Sequence, residues 1–307
     1  MRRRRHHRER GLGFHAHQAH HDLHEHLGGF GSFLRGLIAG LPWSERAESE
    51  EVLAIGAASG SAVRIHNSNG RIRVVGEERA DVEIRAQKVA RAESREAAAN
   101  LLREIRVLHG VVAGAIEIEV DLPRRWNRRG HVHLEARVPR GTSVEVSASN
   151  GKVCIENLRG DLRARSSNGS VDVANVVGDI EVSASNAKVC CSCTQGHLVA
   201  RSSNGKIELA EHRGSVDAST SNGLICASLD ELGRQGVQLA TSNGRIALEL
   251  PEKVDADVDI RVDNGVIRSD RDLGKAAPER AGRLRGRLGS GGTPIRLRTS
   301  NGSVSLR

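Results

Sequence analysis

Tyrosine is absent from this 307-residue chain, which holds only three Phe and two Trp. A thick globular core organised around aromatic rings is therefore excluded. Val, Ile, Leu and Ala must fill the interior, which suits thin layers of small side chains. Proline is scarce at 6 residues while Gly reaches 34, a balance that points to many tight turns with positive φ. No apolar stretch is long enough to span a bilayer; the nearest, Gly28 to Trp43, is short and carries Arg35. The basic start runs into a His-rich stretch, and no small-x-small cleavage site follows the apolar run, so the pattern is not that of a secretory leader. The five Cys are an odd, poorly placed set for disulfides and fit a reducing compartment. The location expected from these signs is cytoplasmic, with the cell surface or membrane association as the alternative.

The net charge is +8 and the isoelectric point about 9.8, which permits weak attraction to nucleic acid, lipid head groups or acidic glycans without choosing between them. Arginine clusters at Arg2–Arg5, at Arg124, Arg125, Arg128 and Arg129, and at Arg280, Arg283, Arg285 and Arg287. Single-strand binders add aromatic stacking platforms, which are missing here, so solvated loop charge is the preferred reading. The same poverty argues against sugar recognition by stacked rings.

Residues 1–50 read as a His/Arg-rich disordered arm followed by a short apolar segment. Eight of the fourteen His lie in residues 1–27, and His15, His17, His20, His21, His24 and His26 are the candidate metal ligands, able to take adventitious Zn, Ni or Cu as neutral imidazoles. Residues 51–307 read as an all-β domain. Its first part, 51–148, holds irregular alternating strands and one short helix near 93–105, rich in Ala, Leu and Glu.

From 149 to 307 the chain repeats. A Ser-Asn-Gly tripeptide or close variant ends at Gly151, Gly169, Ala187, Gly205 and Gly223, at steps of 18 residues. It returns at Gly244 and Gly265 after steps of 21, and at Gly302 after 37. A second Gly marks each mid-unit at Gly160, Gly178, Gly196 and Gly214. Four apolar columns follow. Two run from Val153 and Ile155 to Ile267 and Leu248, and two from Leu162 and Ala164 to Ile295 and Leu297. The positions between them are mostly charged or small, so each strand buries one face. One unit cannot offset its own ordering entropy, and stacked units can. The expected fold is a β-solenoid, or β-helix, of 18–21-residue rungs.

The tripeptide column Asn150, Asn168, Asn186, Asn204, Asn222, Asn243, Asn264 and Asn301 has two structural readings. Asn-Gly suits a turn with positive φ, or the amides stack as an internal ladder. Cys154, Cys190 and Cys226 share an outward column two rungs apart, too far to pair. Cys190 is expected to face out, and Cys191 and Cys193 to face in. Outward positions such as Arg163, Glu181, Val199 and Asp217 change character from rung to rung and form no carboxylate cluster. Residues 270–293 read as a Gly/Arg-rich loop, and the last strand, Ser303 to Leu306, is the candidate open edge for stacking into a homo-oligomer.

The alternating strands, the single Ala-rich helix, the Pro139-Arg-Gly-Thr-Ser-Val-Glu-Val entry and the serial Ser-Asn-Gly-x-Val/Ile rungs resemble the DUF4097 family over about residues 52–307. The resemblance implies a bacterial β-strand repeat protein of the kind described as adhesin-like, with no catalytic residues and no cofactor to carry over. A non-enzymatic structural or interaction module is thus the expected function. The alternatives are an electrostatic binder of a membrane or nucleic acid through the arm, and, ranked low, a polysaccharide-active enzyme.

Overall fold

The computed structural model describes residues 45–56, 61–123, 129–274 and 282–307, so the arm, its histidines, the apolar segment, Arg124, Arg125, Arg128 and Arg280 lie outside the described residues. The first strands in chain order are β1 (Glu45–Gly56), β2 (Val63–Asn69), β3 (Ile72–Glu77) and β4 (Asp81–Ala92). Helix α1 (Arg95–Glu104) follows, capped by Ser94, whose Oγ accepts from the Ala97 amide at 3.1 Å. Then come β5 (Arg106–Val112), β6 (Ala115–Asp121), β7 (Gly130–Pro139), β8 (Val144–Asn150) and β9 (Val153–Glu156). The regular units supply β10 (Leu162–Ser166), β11 (Val171–Ala174), β12 (Ile180–Ala184), β13 (Val189–Ser192) and β14 (Gln195–Ser202). Longer strands finish the chain: β15 (Ile207–Asn222), β16 (Ile225–Asn243), β17 (Ile246–Glu249), β18 (Ala256–Ser269), β19 (Arg283–Leu288) and β20 (Thr293–Leu306).

The described residues thus form a mostly-β repeat structure with one short helix. Each 18-residue unit gives one strand to each of two parallel ladders, in register: Leu162 faces Ile180 in the first, and Val171 faces Val189 in the second. The four apolar columns point inward and merge in one core, with Val153, Ile155, Ala164, Val182, Leu198 and Leu239 each fully buried. Only Ile267 of these columns is half-buried, because its strand segment is the last of its ladder. The glycines let consecutive turns touch backbone to backbone. A Cβ on Gly169 would lie 1.7 Å from the Gly151 carbonyl oxygen.

The rungs do not follow chain order at either end. Near the N-terminus, β2 lies between β6 and β8, and β3 lies between β7 and β9. Strands β5 and β4 then add antiparallel, and β1 extends β4. Near the C-terminus, β20 slots between β16 and β18 in the first ladder and between β17 and β18 in the second. Ile295 therefore sits between Val237 and Val258 rather than after them. The last strand has a neighbour on both sides and offers no free edge for end-to-end stacking.

The expected loop at 270–293 is also corrected, since β19 pairs antiparallel with β18. Leu284 and Leu288 face inward, and Gly286 between them erases the middle of the period-two pattern. The sheet itself starts at Glu45, ahead of the boundary at 51.

Leu297 is 1 % exposed within an interior rung. Leu297→Ala should therefore cost about 2–5 kcal/mol in urea unfolding, and Leu239→Ala, equally buried, should cost about as much. A loss under about 1 kcal/mol would mean that β20 sits at an edge.

Candidate functional site

Outward side chains of the first ladder stand in register columns, and the inserted strands give the main column an order invisible in the chain. From the N-terminal side it runs Glu117, Arg64, Glu145, Arg163, Glu181, Val199, Asp217, Gln238, Arg296, Asp259 and Arg285. No two like charges are adjacent in it. Arg64 bonds Glu117 at 2.9 Å and approaches Glu145 at 3.5 Å, while Arg163 bonds Glu181 at 2.9 Å. Burial alone would raise the Glu181 pKa, but the hydrogen bonds from Arg163 and Arg165 outweigh it and hold the carboxyl below its usual value.

A groove of about 460 Å³ crosses this face, lined by Arg64, Glu145, Asp161, Arg163, Asp179 and Glu181, with His197 among its walls. Three of its four acids, Glu145, Asp161 and Glu181, are committed. Asp161 accepts from the Asp179 amide at 3.3 Å, and Glu181 is kept ionised by two guanidinium groups, which unsuits it as a general acid at neutral pH.

The second ladder carries the cysteines. Its outward column reads Arg73, Cys154, Asp172, Cys190, Glu208 and Cys226, so the three thiols alternate with carboxylates, and all five cysteines are free. Burial raises the pKa of Cys154, Cys190 and, most strongly, Cys191. Thiols held protonated are poor nucleophiles and poor metal ligands. Glu208 is pulled the other way, held low by its hydrogen bonds from Lys188 and Lys206. Among the described residues, no group of three His, Cys, Asp or Glu is placed to hold a metal ion.

Cys191 is buried as expected, but Cys193 is exposed. Strand β13 ends at Ser192, the alternation stops, and Cys193 enters the corner with φ 51°, its thiol donating to Glu211 at 3.0 Å. Asn157, Asn175 and Glu211 share that left-handed corner.

The Ser-Asn-Gly asparagines are not left-handed. They form a chain of side-chain amides on the exposed surface rather than inside. Each Nδ2 donates to the Oδ1 of the preceding rung at 2.9–3.0 Å, from Asn168 onto Asn150, through Asn186, Asn204, Asn222 and Asn243, to Asn301 and finally Asn264. Asn222→Ala breaks two of these bonds and should cost about 0.5–1.5 kcal/mol each way the ladder is cut, read as a shift in urea midpoint. No shift would reduce the ladder to ornament.

Sequence reasoning missed the buried His212. It occupies an inward corner column with Leu158, Val176 and Thr194, its Nδ1 lies 2.9 Å from the Thr194 hydroxyl, and its Nε2 has no well-formed partner. The 18-residue offset from Thr194 was the available signal. Burial lowers its pKa, against the opposing pull of backbone near Ser215 and Gly196. A buried His with a depressed pKa binds its proton more readily unfolded. Stability is therefore full above about pH 6.5, the unfolded value, and falls as pH drops below it. His131 and His133 shift the same way, chiefly through burial, and add to that slope. His212→Leu with Thr194→Val should narrow the gap between urea midpoints at pH 7.5 and pH 5; an unchanged gap rules out His212 as a contributor.

This arrangement of stacked parallel rungs with outward charge and amide columns defines a toastrack-type β-repeat protein. The chain belongs to the DUF4097 toastrack family, whose model matches residues 61–307. Among curated proteins, none matches the sequence. Three similar solved structures are a candidate cell-adhesion protein from Clostridium sporogenes and candidate adhesins from Bacteroides fragilis and Parabacteroides merdae. The first is 9% identical with a TM-score of 0.27, covering 85% of this chain and 99% of that one. The second is 12% identical with a TM-score of 0.41, covering 84% and 97%. The third is 11% identical with a TM-score of 0.32, covering 84% and 96%. The cytoplasmic location expected from the sequence is withdrawn; the similar solved structures are described as adhesins or a cell-adhesion protein, a description that belongs to them. No helix among the described residues is long and apolar enough to cross a membrane.

Proposed function

We propose that this chain is a non-enzymatic, adhesin-like scaffold whose two ladders are the walls of a β-solenoid, with outward columns displayed to a partner at the cell surface. The observation that carries the reading is the self-neutralised column. From Glu117 to Glu181 its acids and guanidinium groups are spent on one another, Arg64 on Glu117 and Glu145 and Arg163 on Glu181, which supports rigidity and display over chemistry. The metal-binding arm stays a proposal of its own, in which His15 to His26 take a transition metal in solution.

Two measurements test the scaffold. The purified chain should show no turnover of neutral or acidic polysaccharides, and release of new reducing ends would overturn the non-enzymatic part. External protease applied to intact cells should digest the protein, whereas full protection would overturn the adhesin-like part.

A further inference from the structure

The insertion of β20 gathers arginines that lie far apart in the chain. Arg298, Arg261 and Arg283 stand in one row across β20, β18 and β19, and Arg296, Asp259 and Arg285 stand in the next. Arg287 faces Asp257 in the row beyond. Asp259 is shared by Arg261, Arg283 and Arg285, at 3.1, 2.9 and 3.3 Å, and Asp257 takes Arg287 at 3.1 Å. Arg296 and Arg298 are exposed, and neither is held by a carboxylate among the described residues. Six guanidinium groups thus share one face of three strands with three carboxylates, the third being the exposed Asp263, at the next outward position of β18 after Arg261. The neighbouring rung, with Gln238 and Ala240 in these columns, is neutral, so the patch is bounded.

We infer that this face is a docking site for a linear acidic polysaccharide, a proposal that rests on the scaffold reading and names its partner class. The charge calls for an anion, and guanidinium forks match carboxylate and sulfate groups in geometry. Successive strands set the cations about 4.8 Å apart, so a row of three spans about 10 Å, the reach of a few anionic groups on an extended polymer. Among the described residues this face has no Phe or Trp to stack a base or a sugar ring, and what it offers a ligand is charge. The patch is also too narrow to meet a bilayer without pressing the self-neutralised part of the face against it.

The test uses the full chain with polygalacturonate as probe and neutral dextran as control. Binding to polygalacturonate should be seen at low salt and fall steeply with added salt. Arg296→Gln with Arg298→Gln removes no ion pair, should leave the thermal midpoint unchanged, and should weaken binding about tenfold. Arg163→Gln with Arg165→Gln, on the same ladder, should change it less than about twofold. Equal losses in the two double variants, indifference to the first, or retention no greater than on dextran would overturn the site. Tighter binding to phosphatidylglycerol vesicles or duplex DNA, lost through the same Arg296 and Arg298 changes, would overturn the partner class. None of these outcomes touches the scaffold reading, which fails on polysaccharide turnover or protection from protease instead.

Discussion

Backbone stacked on backbone at a fixed offset is the constraint from which the rest of this structure follows. Each turn must place its peptide groups against the turn before it, and a Cβ at the contact would sit inside the neighbouring carbonyl. Glycine at 18-residue steps meets that demand at most rungs, and Ala187 shows that one rung accommodates a side chain. Once the register is locked, identical positions of successive units fall into columns. A column then behaves as one object. Apolar columns become a continuous core, asparagine columns become a polarised amide chain, and charged columns become a ladder of ion pairs.

What was legible in the sequence is what depends on the period. The four inward columns, the two-strand unit, the helix at Arg95–Glu104 and the separation of Cys154, Cys190 and Cys226 all follow from counting. Spatial order was not legible, because nothing local says that β20 enters between β16 and β18, or β2 between β6 and β8. Corner geometry was half legible. Asn-Gly pointed to left-handed asparagines at the wrong corner, while Asn157 and Asn175 hold that conformation at the other. In the tripeptide, amide stacking along the rungs prevailed over local turn chemistry.

The charge alternation belongs to this second, non-local kind. In chain order Arg64 precedes Glu117 and Glu145 by dozens of residues, and only strand insertion sets it between them. Each exposed pair contributes about 0.2–1 kcal/mol, too little to drive folding. Their combined effect is better seen as selection among registers, since a shift by one rung sets like charges face to face and a shift by one residue turns the apolar set outward. Apolar burial supplies the stability, and the charge column helps choose which of many similar stackings is used.

The C-terminal rungs depart from that rule. Through the middle of the first ladder, Arg165, Ser183, Arg201 and Ser219 keep guanidinium groups apart by interposing serine. Where β20, β18 and β19 meet, Arg298, Arg261 and Arg283 stand directly beside one another. Like charges in adjacent cross-strand positions are unfavourable, and the shared Asp259 offsets only part of the repulsion. A repeat that alternates charge elsewhere had polar and acidic residues to place here, and nothing in the packing requires arginine at exposed position 298, whereas Arg296, beside Asp259, keeps the alternation. A local rule broken without structural gain is where a folded chain is expected to carry its function. On that argument the interior rungs hold the repeat in register, and the C-terminal rungs carry the proposed docking face.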